Sequence, residues 1–162
     1  NNQIDMALFY QPILGKNLHV IHTIEAPIHV AIPNGAPVSG KTGTKLYEII
    51  DQPALLPPKG TQLRIKIDTA CERIGITLRK SMECASPLDH LDATQKSRVA
   101  FCLPFDQDFV AFKKRGYKLV PIASKELALG YINLISHTHG QTSVAAQKFI
   151  EAFITRVETS DQ

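Results

Sequence analysis

The sequence predicts an α/β fold, and three observations support this prediction. Residues 54–84 have the pattern of a strand–helix–strand unit: a short apolar run, a polar loop, a helix with apolar positions at helical spacing, and a second extended run. Strand-like and helix-like segments alternate along most of the remaining chain. The composition, 44% apolar and 20% charged over 162 residues, is that of an ordinary globular protein with one sizeable core or two small lobes.

The strand–helix–strand unit is bounded by clear signals. Residues 54–56 are the predicted first strand, and the loop 57–61 contains two prolines and a glycine. The helix is predicted to run to Ile74, because Gly75 follows at a position where helix termination favours a positive φ angle. The second strand is predicted within residues 76–84. Two such strands lie parallel with a right-handed crossover, and ligands of such sheets bind beyond the carboxyl ends of the strands.

Apolar runs and helix-start signals predict the other elements in chain order. Strands are predicted over residues 4–10, 18–24, 27–32, 99–103, 118–122 and 127–136. Short helices are predicted over 45–50 and 88–95, and a longer one over 106–114, capped by Asp106, with Phe109 and Phe112 facing inward. Ser143 is predicted to cap a closing helix whose apolar stripe, which includes Phe149, faces the core.

The charge and the cysteines restrict the class of protein. The formal net charge is +3, from 18 basic and 15 acidic residues that are dispersed, which is too weak a balance to predict nucleic-acid binding. Cys71, Cys84 and Cys102 are odd in number and lack metal-site spacing, so we expect reduced thiols in a cytoplasmic protein. No apolar run has the length of a membrane span. The chain opens almost directly on a strand, so we expect its N-terminus to be a cut within a longer protein.

Residues 35–42 (GAPVSGKT) match the phosphate-binding P-loop pattern GxxxxGK[ST]. In such a loop Lys41 would reach the terminal phosphates of a nucleotide, and Thr42 would bind magnesium. The surroundings disagree with this interpretation, because Gly43 stands where the helix should begin and no downstream strand ends in a suitable acidic residue. A surface loop that fits the pattern by chance is the preferred interpretation. A P-loop nucleotide hydrolase or kinase is kept as the alternative function.

Histidines and cysteines provide weaker candidate sites. His19 and His22 lie three apart on a predicted strand and are expected to point to opposite faces, which would prevent joint metal binding. His137 and His139 could share a face, but the sequence offers no third ligand. Cys84 lies at a strand end, yet nothing in the sequence pairs it with the base that a nucleophile requires. We therefore predict no metal, no cofactor and no catalytic residue.

The loop before the first long helix is the first candidate for a binding surface. Thr61 and Gln62 begin that helix and can present a hydroxyl, an amide and free backbone N–H groups to a small anion. Thr61 can equally serve only as the cap of the helix. The two roles are compatible, and both stay open at this point.

Taken in order, several segments resemble the effector-binding domain of LysR-type transcriptional regulators. Residues 2–10 (NQIDMALFY) are similar to a strand of that family, and Glu25 with residues 27–33 is similar to its crossing strand. The family's strand–helix–strand core is matched by Leu55-Leu56-Pro57, Leu63-Arg64, Ile67-Asp68, Cys71, Gly75 and Glu83. Residues 103–104, 116–122 and 134–149 follow in the same order, so the resemblance covers nearly the whole chain.

The resemblance implies a two-lobed fold of the type 2 periplasmic-binding-protein kind, with an inducer held between the lobes. Residues 1–25 and 124–162 would belong to the first lobe, and residues 26–123 would form the second. The chain departs from the family in lacking the opening β–α–β–α of the first lobe and the N-terminal winged helix-turn-helix that binds DNA. It also has residues 95–98 (QKSR) where the family has a Gly-x-Gly turn. The first lobe is therefore expected to be incomplete, with part of the inducer pocket missing.

The resemblance also implies how the protein acts and which residues bind the inducer. The expected ligand is a small anionic metabolite, bound without any reaction by Tyr10, His22, Thr23, Thr61, Gln62, Glu83 and Cys84. The expected partners are further copies of the chain in a homodimer or homotetramer, and DNA only through the absent helix-turn-helix domain, with no membrane. Inducer binding would change the populations of lobe and dimer arrangements.

Overall fold

The computed structural model describes residues 5–36, 43–91, 98–123, 125–138 and 142–160 of the chain. Within these ranges the strands are β1 (Met6–Tyr10), β2 (Leu18–Glu25), β3 (His29–Pro33), β4 (Ala54–Leu56), β5 (Lys80–Glu83), β6 (Val99–Cys102), β7 (Tyr117–Pro121) and β8 (Tyr131–His137). The α-helices are α1 (Gln62–Arg73), α2 (Asp106–Lys114) and α3 (Val144–Ser160), and short 3-10 helices span Leu46–Ile49 and Pro87–His90. The predicted α/β class is confirmed.

The chain divides into two compact units. Unit 1 comprises Asn1–Ala26 and Gly130–Gln162, and unit 2 comprises Pro27–Leu129. The sheet of unit 1 has three antiparallel strands in the order β1-β8-β2. Helix α3 follows this sheet, and the predicted cap is confirmed because the Ser143 hydroxyl accepts a hydrogen bond from the Ala146 N–H at 3.2 Å.

Unit 2 contains a five-stranded sheet in the order β5-β4-β6-β3-β7. Strand β4 pairs in parallel with both β5 and β6, whereas β3 is antiparallel to both β6 and β7. The strand–helix–strand prediction is therefore confirmed: β4 and β5 are adjacent parallel strands connected through α1. Helix α1 ends where predicted, with Ile74 as its C-cap and Gly75 at a φ of 71°.

The core of unit 2 forms because short strands bury both of their faces. All three residues of β4 and all four residues of β6 are buried. Their apolar side chains join a cluster with the inward faces of β3, α2 and β7, whose members include Ala31, Leu55, Ala100, Phe112 and Tyr117. Each large apolar side chain buried in this way contributes roughly 1.5–3 kcal/mol to folding. This core holds the carboxyl ends of β4, β5 and β6 in fixed positions.

Strand β2 contains an irregularity that the sequence did not reveal. Its register against β8 shifts between Val20 and His22, so that His19 lies opposite Ser136 and His22 lies opposite Leu134. Residues two apart on β8 point to one face, and their partners on β2 therefore share a face as well. The prediction that the two histidines point to opposite faces is wrong, because an extra residue in the strand changes the alternation.

Several predicted boundaries differ from the structure. The second strand of the strand–helix–strand unit is limited to β5, and residues 76–79 before it are irregular. The predicted helix over 88–95 is a single 3-10 turn, Pro87–His90, and residues 92–97 lie outside the described ranges. The predicted strand over 127–136 begins only at Tyr131. Apolar runs extend past the point where backbone pairing stops, so the sequence pattern overestimates strand length.

Helices α2 and α3 also differ from their predictions in the exposure of aromatic residues and in one cap. In α2, Phe112 is buried as predicted, but Phe109 is 44% exposed and meets the His29 ring edge-on at 5.6 Å. The N-cap of α2 is Phe105 and not Asp106, so the predicted start is one residue late. In α3, Phe149 is half exposed and stacks on Phe153 of the same helix instead of entering the core.

Candidate ligand-binding site

A cavity of about 360 Å³ lies in unit 2, beyond the carboxyl ends of the three parallel strands. The residues that follow or end β4, β5 and β6 contribute to its wall, together with the first turns of α1 and α2. Its lining includes Pro57, Leu63, Cys84, Leu88, Phe101 and Phe112. Parallel strands leave their carboxyl ends open to ligands, so this cavity occupies the position that the topology makes available.

Cys84 is the predicted site residue that lies in this cavity. Its backbone N–H donates to the Leu56 carbonyl at 3.0 Å, which continues the pairing of β5 with β4 by one residue. Burial, with a smaller contribution from Asp89, raises the pKa of the Cys84 thiol. Burial, aided by Asp108, raises the pKa of the neighbouring Cys102 to about 12. Both thiols are therefore neutral at ordinary pH, which is the opposite of what a thiolate nucleophile needs.

Glu83 precedes Cys84 but faces a different set of partners. Its carboxylate lies 3.2 Å from the Lys80 ammonium and 3.3 Å from the Arg64 guanidinium. The hydrogen bond from Lys80 lowers the pKa of Glu83, the bond from Arg64 and one from the Lys59 backbone act in the same direction, and burial opposes them. Adjacent strand residues point to opposite faces, so Cys84 enters the cavity while Glu83 turns towards Arg64.

Arg64 joins the candidate binding loop to α1 and β5. Its side chain is only 8% exposed, and its Nε donates to both carboxylate oxygens of Asp68, at 2.8 and 2.9 Å. One terminal nitrogen donates to the Pro57 carbonyl at 3.1 Å as well as to Glu83. A second, more polar cavity of about 430 Å³ lies beside this network and includes Arg64, Asp68 and Lys80 in its lining.

Thr61 and Gln62 begin α1 as predicted. Thr61 is the N-cap: its hydroxyl oxygen accepts from the Arg64 N–H at 3.3 Å, and its hydroxyl donates to the Pro58 carbonyl at 2.8 Å. The capping role is confirmed, whereas the ligand role stays a prediction. Gln62 is half-buried and is the first residue of the helix.

Tyr10 ends β1 in unit 1 and has an unusual environment. Its hydroxyl is shielded from solvent and has no hydrogen-bond partner within the described part of the chain. Burial raises the pKa of Tyr10 to about 12. A Cβ atom placed on Gly130 would lie 2.0 Å from the Tyr10 hydroxyl oxygen, so a larger residue at this position would have to displace the Tyr10 ring. A buried hydroxyl without a partner is uncommon in native proteins, and such groups often face a ligand or a water molecule.

His22 and Thr23 lie on β2 in unit 1. His22 is half-buried opposite Leu134, and the exposed Thr23 hydroxyl donates to the Asn133 side-chain carbonyl at 2.9 Å. This hydrogen bond connects β2 to β8 and leaves the oxygen of Thr23 able to accept one from a ligand.

The described residues give no support to the alternative metal and P-loop sites. Across the described ranges, no group of three or more histidine, cysteine or acidic side chains is arranged to hold a metal ion. Most of the P-loop-like segment, residues 37–42 with Lys41 and Thr42, lies outside those ranges, as does His139. The helical turn after that segment starts only at Leu46. No described helix is both long enough and apolar enough to cross a membrane.

Sequence reasoning missed two groups that shape the candidate site. Arg64 was noted only as part of the resemblance, although its spacing of four residues from Asp68 is the signal for a helical ion pair. Phe112 was predicted to face inward, but its place in the cavity wall, like that of Phe101, depends on how β6 and α2 meet. No local pattern reports that geometry.

Comparison with known proteins agrees with this fold. A family model described as the LysR substrate binding domain matches residues 1–158. No curated protein matches the chain.

Solved structures are similar in fold at low sequence identity. The regulatory domain of CcmR from Synechocystis PCC6803, in complex with 2-PG, is 16% identical with a TM-score of 0.76, over 96% of this chain and 74% of that one. The effector binding domain of QuiR, in complex with shikimate, is 15% identical with a TM-score of 0.71, over 94% of this chain and 70% of that one. HinK, a LysR family transcriptional regulator from Pseudomonas aeruginosa, is 16% identical with a TM-score of 0.66 over 91% of this chain. The chain spans about half the length of several regulators that it matches, HinK included.

Proposed function

Because the chain belongs to the family of LysR substrate binding domains, we propose that it is the ligand-sensing domain of a LysR-type transcriptional regulator. Its fold is that of the type 2 periplasmic-binding-protein-like effector domains. Units 1 and 2 are proposed as the two lobes of that fold. The expectation that the first lobe is incomplete in this chain stays a prediction.

The cavity beyond the ends of β4, β5 and β6 is the observation that carries this proposal. Its volume of about 360 Å³ lies in the range of small-molecule sites, which is roughly 300–1,000 Å³. The presence of shikimate and of 2-PG in structures of similar domains supports a small-molecule ligand. The Cys84 and Cys102 thiols are neutral, and the Glu83 carboxylate is paired with Lys80 and Arg64. These states favour ligand binding over catalysis, so we propose a domain without enzyme activity.

The residues proposed to contact the ligand are described for each unit by itself. Cys84 lines the cavity of unit 2, and Thr61 and Gln62 stand at the start of the adjoining helix α1. Glu83 is proposed to act mainly through Arg64, by fixing the binding loop. In unit 1, the partnerless hydroxyl of Tyr10 supports a hydrogen bond to the ligand, and His22 with Thr23 is proposed to add to it.

The proposed mechanism is a change in populations. A ligand that binds one arrangement of the lobes more tightly shifts the equilibrium towards it. In a homodimer or homotetramer this shift would alter the spacing of the helix-turn-helix domains that contact DNA, which are not part of this chain. The regulator is proposed to act in the cytoplasm.

The proposal is tested on the full-length regulator with a panel of candidate metabolites. We expect at least one metabolite to change the DNA footprint, and the Ser86→Trp variant to lose this response because indole fills the mouth of the cavity. The matched control is Ser81→Trp, at an exposed position of β5 outside the cavity lining. Both variants should keep the ligand-free footprint. A response that survives Ser86→Trp unchanged would reject the cavity as the ligand site, and a footprint that no metabolite changes would reject the sensing function.

A further inference from the structure

We propose that the part of the ligand that enters the unit 2 cavity is an uncharged, mainly apolar group of about the size of a substituted benzene ring. This inference rests on the proposed function and names the chemical class that its unit 2 cavity selects.

The wall of the cavity is dominated by apolar side chains. Phe101 of β6 and Phe112 of α2 are among the lining residues and are almost fully buried, at 2% and 3% exposure. Leu63 and Leu88 add aliphatic surface from α1 and from the 3-10 turn. Apolar surface of this kind favours an apolar group by roughly 25 cal/mol for each Å² removed from water.

The ionisable groups of the wall oppose a bound anion. The lining includes the carboxyl group of Asp108, which accepts a hydrogen bond from the Phe105 N–H at 2.8 Å and thereby caps α2. The same burial that raises the pKa values of Cys84 and Cys102 would also disfavour a ligand carboxylate in their place. A carboxylate brought into this cavity would face a like charge and lose its hydration.

The described residues of the wall supply no cation to compensate that cost. The described residues that line the cavity include no lysine, arginine or histidine. Arg115 lies behind the wall, but its guanidinium donates to the backbone carbonyls of Leu88 and Leu91 and holds the 3-10 turn in place. The sequence-based expectation of an anion rested on Thr61 and Gln62 at the start of α1, and neither residue lines the cavity; Leu63 of the same turn does, but its side chain is apolar. A charged part of the ligand would therefore remain outside it.

The volume indicates the size of the group. A dry cavity of about 150 Å³ is enough to hold benzene in a protein interior. The cavity of about 360 Å³ is more than twice that size and is open at one side, towards Ala85 and Ser86. One six-membered ring with one or two small substituents would fill its inner part.

The test uses three probes that share a ring and differ in charge: benzyl alcohol, benzylamine and benzoate. Each is titrated into the intact chain, and binding is followed by the amide NMR shifts of Cys84, Leu88 and Phe101. We expect benzyl alcohol to bind at these residues at least tenfold more tightly than benzoate. The variant Asp108→Asn keeps an oxygen to cap α2 and removes the charge, so it should reduce the ratio of the benzyl alcohol affinity to the benzoate affinity severalfold.

A cavity-filling variant provides the location control. Ala85→Phe should weaken benzyl alcohol binding by tenfold or more, whereas Ala145→Phe, at an exposed position of α3, should leave it unchanged. Benzoate binding as tight as benzyl alcohol at these residues would overturn the inference and leave the sensing function standing. Absence of benzyl alcohol binding at these residues would also overturn it. The sensing function is judged separately, by the metabolite-dependent footprint of the full-length regulator.

Discussion

At Gly130 the backbone lies so close to the ring of Tyr10 that any side chain added there would have to displace the ring. A Cβ atom at this position would lie 2.0 Å from the Tyr10 hydroxyl oxygen and 2.5 Å from two of its ring carbons. The backbone around the contact is held by hydrogen bonds from the Ala26 N–H to the Gly130 carbonyl, at 2.8 Å, and from the Gln11 N–H to the Tyr131 carbonyl, at 2.9 Å. Relief of a clash here therefore requires movement of the Tyr10 side chain.

Gly130→Ala is expected to destabilise the protein by about 1–3 kcal/mol, because the new methyl group overpacks the contact. Urea unfolding measures the effect. Gly15→Ala is the matched control, since nothing lies within 4 Å of a Cβ at that position. In the Tyr10→Ala background the cost of Gly130→Ala should largely disappear. An equal cost in both backgrounds would contradict the contact as described.

Among the elements, α1 and the loop before it are fixed mainly by one side chain. Arg64 reaches back to the Pro57 carbonyl and across to Glu83, while Asp68 holds it from the next turn of the helix. The Glu83 carboxylate also accepts a hydrogen bond from the Lys59 backbone N–H, so the Arg64–Glu83 ion pair holds the loop at Pro57 and at Lys59. The candidate binding loop and the start of α1 are thus positioned by Glu83 of β5, which lies 19 residues after Arg64 in the chain.

Arg64→Met keeps the length of the side chain and removes its donors. We expect a loss of about 2 kcal/mol in the free energy of unfolding, because the buried Pro57 carbonyl is left without a partner. Hydrogen exchange of the loop residues 59–61 should accelerate, while exchange in β6 should be unaffected until global unfolding. Arg79→Met, at an exposed position, is the control. Unchanged exchange in the loop of the Arg64 variant would show that Arg64 does not position it.

For the molecule as a whole, the two units differ in how they are built from the chain. Unit 2 is one continuous segment, whereas unit 1 combines two distant segments. Of the buried apolar residues in the described ranges, Ala26, Leu134, Ile135 and Ala146 belong to unit 1, and all the others belong to unit 2. A continuous segment with its own core is expected to fold independently.

A fragment of residues 27–129 should therefore unfold cooperatively by itself. Circular dichroism during urea denaturation provides the measurement. Leu55→Ala in the fragment should cost about 3 kcal/mol, because it creates a cavity in the centre of the sheet. The exposed substitution Ile65→Ala is the control and should cost much less. A gradual, non-cooperative transition of the unsubstituted fragment would contradict its independence.

Features that depend on interactions between residues close together in the chain were predicted correctly from the sequence. The apolar spacing of α1, the cap at Thr61, the stop at Gly75 and the cap at Ser143 all depend on residues within a few positions of each other. The same local order of short motifs was sufficient to predict the family. These features could be read without a structure because their hydrogen bonds form within one turn of a helix.

Only the tertiary structure decided which side chains meet at the candidate site. Four features depend on partners that are far away in the chain. They are the bulge in β2, the exposure of Phe109, the contact of Tyr10 with Gly130, and the opposite directions of the Cys84 and Glu83 side chains. The bond from Thr23 to Asn133, for example, spans 110 residues. The absence of a cation from the described cavity wall is a result of the same kind, because the wall combines residues from six elements and from no single stretch of sequence.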